Sequence, residues 1–133
     1  MQNNIIIDLR ALSSGKISGV ENYTVNLLEN IFKLDQKNHY YLFYNSFKNF
    51  PFDKDKLNQK NCTLIHTKIP NKILNLSLSL FGFPKIDKII NKKLGKKTNF
   101  HSFFMPDLRP YNISKNIKKV FTIHDLSFKH HPH

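Results

Sequence analysis

The chain has 133 residues, of which 40% are hydrophobic, and its 12 Phe and 5 Tyr suffice for one domain with a core. This composition argues against a disordered chain, and no apolar run reaches the roughly 18 residues of a membrane-spanning helix. No signal peptide is expected, so the cytoplasm is the expected location. The single cysteine, Cys62, excludes an internal disulfide and a multi-cysteine metal site.

The formal charge is +12, and only Arg10 and Arg109 of the 21 basic residues are arginine. Three interpretations stay open. A bias towards A/T-rich codons would explain the abundance of Lys, Asn, Ile and Phe. An anionic membrane or substrate would attract the lysines. Nucleic acid is the least favoured partner, because readers of phosphates and base edges usually favour arginine.

The first element is an apolar run over residues 4–8, typical of a strand buried on both faces. A loop over 9–18 follows, and Gly15 and Gly19 precede a helix. Ser18 is the expected N-cap, with Glu21 completing a capping box. The apolar stripe of this helix is predicted to contain Val20, Tyr23, Thr24, Leu27, Leu28 and Ile31.

The remaining pattern continues the alternation of strands and helices. Strands are predicted over 39–45, 61–69, 99–105 and 119–123, and helices over 71–81 and 85–94, with Gly95 as a C-cap. This order predicts an α/β fold with a parallel sheet and right-handed crossovers. Ligands of such sheets bind at the carboxyl ends of the strands, so the loops at 8–19, 104–109 and 124–128 should share one edge.

Several residues of this edge are candidates for a site. The loop of Gly15 and Gly19 could hold a diphosphate at the helix N-terminus, or it could simply make a turn. It matches neither G-x-G-x-x-G nor a P-loop. Arg10 could bind an anion, or it could pair with Asp8 and hold the loop. These two roles are compatible.

His124 and Asp125 form the sharpest chemical pair in the sequence. A histidine at the carboxyl end of a strand can donate to a sugar hydroxyl or a phosphate, and Asp125 could hold its tautomer. His101 is expected to lie inside the fourth strand as a packed residue.

Residues 71–97 combine an apolar helix face with seven lysines. Such a segment can lie on an anionic membrane surface. The alternative is a pair of ordinary helices that pack on the sheet and expose their lysines to water.

Four ordered motifs resemble one family. They are D-x-R (Asp8, Arg10), S-G-V-x-x-Y-T-x-N-L-L (from Ser18), F-H-S (from Phe100) and T-I-H-D-L-S-F (from Thr122). Together they resemble the N-terminal half of bacterial family 4 glycosyltransferases. These are retaining enzymes of the GT-B fold, often mannosyltransferases or other sugar transferases that build surface polysaccharides.

The resemblance implies two Rossmann-like domains that face a cleft, the first binding a glycan or lipid-linked acceptor and the second a nucleotide-sugar. By this likeness Gly19 lies in the loop that approaches the donor diphosphate, with Gly15 and Ser18 as further substrate-binding candidates of that loop, and His124 touches the transferred sugar or the acceptor. It implies no metal, and the nucleotide-sugar enters as a substrate rather than a cofactor.

The family's E-x7-E motif belongs to its second, C-terminal domain, which is not expected within this chain, so residues 1–133 are expected to be an incomplete N-terminal domain, inactive alone. Its docking face should be apolar and able to support self-association. The alternative function is a non-catalytic basic module that binds the inner membrane surface or a partner chain.

Overall fold

The computed structural model describes residues 1–14, 19–47 and 59–124. These residues form five strands, three α-helices and one 3-10 turn. In chain order they are β1 (Asn4–Asp8), the 3-10 turn (Arg10–Ser14), α1 (Gly19–Leu34), β2 (His39–Asn45), β3 (Cys62–Thr67), α2 (Asn71–Phe81), α3 (Ile86–Leu94), β4 (Ser102–Met105) and β5 (Lys118–Phe121).

The strands form one parallel sheet in the order β3-β2-β1-β4-β5. The predicted α/β class is confirmed, and the arrangement is Rossmann-like. β1 lies at the centre, where Ile6 stands opposite Tyr41 of β2 and Phe103 of β4. Ile6 and Ile7 are both fully buried because helices cover the two faces to which successive side chains point.

Each face of the sheet has its own hydrophobic core. On one face α1 packs its Leu28 and Phe32 against Ile7 and its neighbours. On the other face α3 packs Ile86 and Ile90 against Ile6 and its neighbours. The connection from β4 to β5 contains no helix, and its Ile113 and Ile117 complete this second core.

α2 runs across the carboxyl edge of the sheet. Its first residue, Asn71, accepts a hydrogen bond from Asn45 at the end of β2 (2.5 Å). Asn75 contacts Arg10 just after β1, and Gly82 accepts a hydrogen bond from Asn112 beyond β4. This helix therefore covers the edge where ligands of parallel sheets bind.

Several predicted details of the elements are wrong. The buried residues of α1 are Glu21, Thr24, Val25, Leu28 and Phe32. Tyr23 is 42% exposed rather than part of the core. The real stripe is shifted on the helix, because Val25 and Phe32 face the sheet and Tyr23 does not. Ile31 is partly buried and packs against the core, as predicted.

The strand ends also differ from the prediction. β3 stops at Thr67 because the side-chain oxygen of Asn45 takes the backbone N–H of Ile69 (2.9 Å). β4 begins at Ser102, so His101 lies before the strand and is exposed, not packed within it. The predicted 9–18 loop contains the 3-10 turn.

Among the described helices, none combines the length and the apolar character needed to span a bilayer.

Candidate functional site

Asp8 and Arg10 form a buried ion pair at the carboxyl end of β1. Arg10 Nη2 lies 2.7 Å from Asp8 Oδ2, and Nε lies 3.0 Å from Oδ1. The backbone N–H of Arg10 also donates to Oδ1 (3.0 Å). The side chain of Arg10 is 3% exposed and that of Asp8 is 1% exposed. The local pairing predicted for these residues is thus present, in the bidentate geometry that suits guanidinium and carboxylate.

The same guanidinium reaches two other segments. Nη2 donates to the carbonyl of Pro110 (2.9 Å), and Nη1 lies 3.4 Å from the side-chain oxygen of Asn75. Most of its five N–H donors therefore have partners within the protein. Arg10 therefore links β1, α2 and the loop after β4 through hydrogen bonds, and these bonds stabilise the carboxyl edge of the sheet.

Asn45 organises the neighbouring part of the edge and is completely buried. Its amide nitrogen donates to Ile69 O (2.9 Å) and Asn71 Oδ1, while its oxygen accepts from Thr67 Oγ1 (2.7 Å) and Ile69 N. These contacts place the first turn of α2. Sequence reasoning missed this residue; a polar side chain closing an otherwise apolar strand was the available signal.

His124 lies beyond β5 at the same edge and is exposed. Its Nε2 lies 2.6 Å from the carbonyl oxygen of Pro106, and its ring meets that of Tyr23 edge to face, with centroids 5.1 Å apart. A carbonyl can only accept, so Nε2 carries the hydrogen. In the neutral ring Nδ1 is then the acceptor nitrogen.

Gly19 is the first residue of α1 and is exposed. Its backbone does not adopt a positive φ, and a Cβ added there would meet no atom within 4 Å among the described residues. Neither backbone conformation nor packing within the described fold requires glycine here. The backbone N–H of Gly19 belongs to the positive end of the helix dipole.

The structure brings some of the predicted site residues together. The loop after β4 connects the Asp8–Arg10 pair with His124, since the carbonyl of Pro106 binds His124 and the carbonyl of Pro110 binds Arg10. Gly15, Ser18 and Asp125 lie outside the described residues, as does the predicted capping box of Ser18. The F-H-S motif begins at Phe100 and lies at the amino end of β4, away from this edge.

The pKa shifts resolved among the described residues lie at the opposite, amino edge. The hydroxyl of Tyr40 lowers the pKa of Asp35 to about 2, and burial raises the pKa of Tyr40. Burial also lowers the pKa of His39 and raises that of Cys62 to about 11. Asp35 joins the end of α1 to β2 through these hydrogen bonds, so its shift has a structural cause.

Comparisons with protein family models, with curated proteins and with solved structures found no match for this chain. The chain has a Rossmann-like sheet, and the residues at the carboxyl edge of that sheet form its candidate site.

Proposed function

We propose that this chain is the acceptor-side, N-terminal domain of a retaining GT-B glycosyltransferase resembling family 4. The complete enzyme would transfer a hexose from a nucleotide-sugar to a glycan or lipid-linked acceptor. The observation that carries the proposal is the contact between Tyr23 and His124. These residues belong to two motifs from distant parts of the chain, and they meet where parallel sheets bind ligands.

In this proposal His124 orients the sugar. The Pro106 carbonyl and the Tyr23 ring hold the imidazole, which leaves Nδ1 able to accept a hydrogen bond from a sugar hydroxyl. An imidazole held in one orientation loses little entropy when the sugar binds. Asp125, next in sequence, is proposed as a further substrate-binding residue.

In this proposal Gly19 allows the donor diphosphate to approach the start of α1 closely. A ligand that contacts the backbone needs a residue without a side chain, and the described fold does not itself require one there. Gly15 and Ser18 are assigned to the same loop. The helix dipole supports the negative charge of the diphosphate, so no metal is invoked.

In this proposal Asp8 and Arg10 stabilise the loop that borders the cleft. Their mutual pairing and the bond to Pro110 position the loop that carries Pro106, the partner of His124. Direct contact of Arg10 with a substrate anion remains a prediction, which would need movement of a side chain now 3% exposed. The donor site itself would belong to a second domain.

The decisive experiment expresses this chain together with the coding sequence that follows it and measures hexose transfer from UDP- and GDP-sugars to extracted glycolipid acceptors. Transfer is expected only when both parts are present. His124→Ala should lower turnover about 10²-fold or more, the scale of a lost polar contact to the reacting sugar.

Two matched variants separate chemistry from folding. Gly19→Ala should leave thermal stability unchanged or slightly higher, since Ala favours helices by up to about 1 kcal/mol, while it weakens donor binding. Lys37→Glu, at an exposed residue beyond the end of α1, should change neither property. Absence of transfer in the combined protein, or full turnover in His124→Ala, would contradict the proposal.

A further inference from the structure

The surface of α2 that faces solvent is unusual for a helix of a globular protein. Leu74 and Leu78, one turn apart, are buried at 2% and 4% exposure. Ile73, Leu76 and Leu80 follow the spacing i, i+3, i+7 and form a second apolar stripe, with exposures of 62%, 58% and 65%. α2 therefore carries one apolar stripe for the protein and another that nothing in the described structure covers.

The exposed apolar surface continues to the last residue of the helix, Phe81, and beyond it to Phe83. Phe81 and Phe83 are 77% and 67% exposed. Beside Phe83 lies a groove of about 590 Å³ whose floor contains Ile69 and Ile89. Single exposed apolar residues are ordinary, but a contiguous set of this kind marks an interaction surface.

The charge around this surface has one sign. Lys85, Lys88 and Lys92 line the groove, and Lys72 is one turn from Leu76 on the same side of α2. Residues 68–97 contain eight lysines and a single acidic residue, Asp87. Asp87 is 3% exposed and accepts hydrogen bonds from Ser114, so it does not offset the lysines at the surface.

We infer that this surface, formed by Ile73, Leu76, Leu80, Phe81, Phe83 and the surrounding lysines, binds an anionic lipid bilayer. Aliphatic side chains at the centre enter the interface between headgroups and acyl chains, and the lysines contact acidic headgroups. The helix lies in the plane of the membrane, which agrees with its being too short to cross it.

Other occupants fit the same features less well. A nucleic acid would use the lysines, but Ile73, Leu76 and Leu80 offer neither hydrogen bonds nor aromatic stacking. A symmetric dimer through this face would bring two copies of the same lysine-rich surface together, without acidic groups to offset the charge. A bilayer satisfies the apolar stripe and the lysines together, and this inference does not depend on the proposed transferase activity.

The test is sedimentation of the purified chain with phosphatidylcholine vesicles and with phosphatidylcholine–phosphatidylglycerol vesicles. Binding is expected only to the anionic vesicles. It should weaken as salt shortens the screening length from about 30 Å at 0.01 M to about 3 Å at 1 M.

Two paired variants divide the apolar and charged contributions. Leu76→Ser with Leu80→Ser should lower partitioning about tenfold or more, because less apolar area enters the interface. Lys72→Glu with Lys88→Glu should lower it at least about fivefold per lysine, the effect of one cation near an anionic surface.

The matched controls are Leu34→Ser and Lys37→Glu, which change an exposed leucine and an exposed lysine outside this surface. Neither should alter partitioning, and circular dichroism should show that all variants remain folded. Three results would overturn the inference. They are no anionic pelleting, equal losses in the controls, and binding to duplex oligonucleotide that depends on the lysines but not on the leucines. Dimers that the leucine variants dissociate, without vesicle binding, would assign the face to a second copy instead.

Discussion

α2 and α3 follow each other in the chain and both contain Leu, Ile, Asn and Lys, yet they are attached to the sheet in different ways. α3 buries Ile86 and Ile90 completely and turns its lysines to water. α2 buries only Leu74 and Leu78, and side-chain amides and backbone groups hold it at both ends and in the middle. An apolar stripe in a sequence therefore does not say whether it faces the core.

Polar contacts attach α2 to the sheet, whereas apolar packing attaches α3. Removal of Arg10, the polar contact at the middle of α2, should therefore lower the free energy of unfolding most. Arg10→Ala leaves the Asp8 carboxylate buried without its counter-ion, a change that costs about 3–5 kcal/mol. Urea unfolding measures this loss, and hydrogen exchange should show less protection in α2 than in α3.

The double variant Asp8→Ala with Arg10→Ala is the control for the buried charge. It should recover part of the stability, because no unpaired carboxylate remains. A loss below about 1 kcal/mol in Arg10→Ala would mean that the pair does not anchor this edge, since that is the range of exposed ion pairs.

A matched truncation in each helix tests the apolar side of the comparison. Ile90→Ala removes a completely buried side chain from α3 and should cost about 2–5 kcal/mol. Leu76→Ala removes a side chain that is 58% exposed on α2 and should stay within about 0.5 kcal/mol.

Thermal and urea unfolding of these two variants, side by side, provide the measurement. Leu74→Ala, on the buried stripe of α2, is the internal control and should be clearly destabilising. If Leu76→Ala cost as much stability as Ile90→Ala, the second stripe of α2 would be packed against the protein. It would then not be available to bind a membrane.

The helix ends should differ least. Gly82 after α2 and Gly95 after α3 both adopt left-handed φ angles, of 57° and 65°, and their N–H groups bond back to the helix carbonyls. Alanine at either position should cost about 1–2 kcal/mol through backbone strain. A Cβ at Gly82 would lie 3.5 Å from the side chain of Asn112, an ordinary contact that adds little.

Differential scanning calorimetry of Gly82→Ala and Gly95→Ala should therefore give similar shifts in melting temperature. Gly19→Ala, with no positive φ, serves as the reference that should not lower it. A much larger loss at one cap would show that the attachment of that helix depends on its end as well as on its middle.

Much of the fold was predictable because local patterns carried it. The apolar run of β1 and the bounds of α2 follow from periodicity and from punctuation by Pro70 and Gly82. The end of β3 and the start of β4 were not predictable, since the side chain of Asn45 sets the first and pairing with β1 sets the second. The shift of the α1 stripe was missed because Glu21 is buried although it is acidic.

The residues of the candidate site were likewise predictable only in part. His124, Gly19 and the Asp8–Arg10 pair could be selected from residue type and position after a strand. Their partners could not, because Pro106, Pro110 and Asn75 carry no local signal and reach the site only through folding. Tyr23 was assigned to the core, and its contact with His124 became visible only in three dimensions.

The sequence by itself determined the alternation of strands and helices and the excess of lysine, because backbone periodicity and charge are local properties. Only the tertiary structure decided which side of α2 meets the protein. That helix is apolar on two sides, so its pattern permits either orientation. Buried polar anchors at Asn45 and Arg10 select one, because a buried amide or charge without a partner costs more than an exposed leucine.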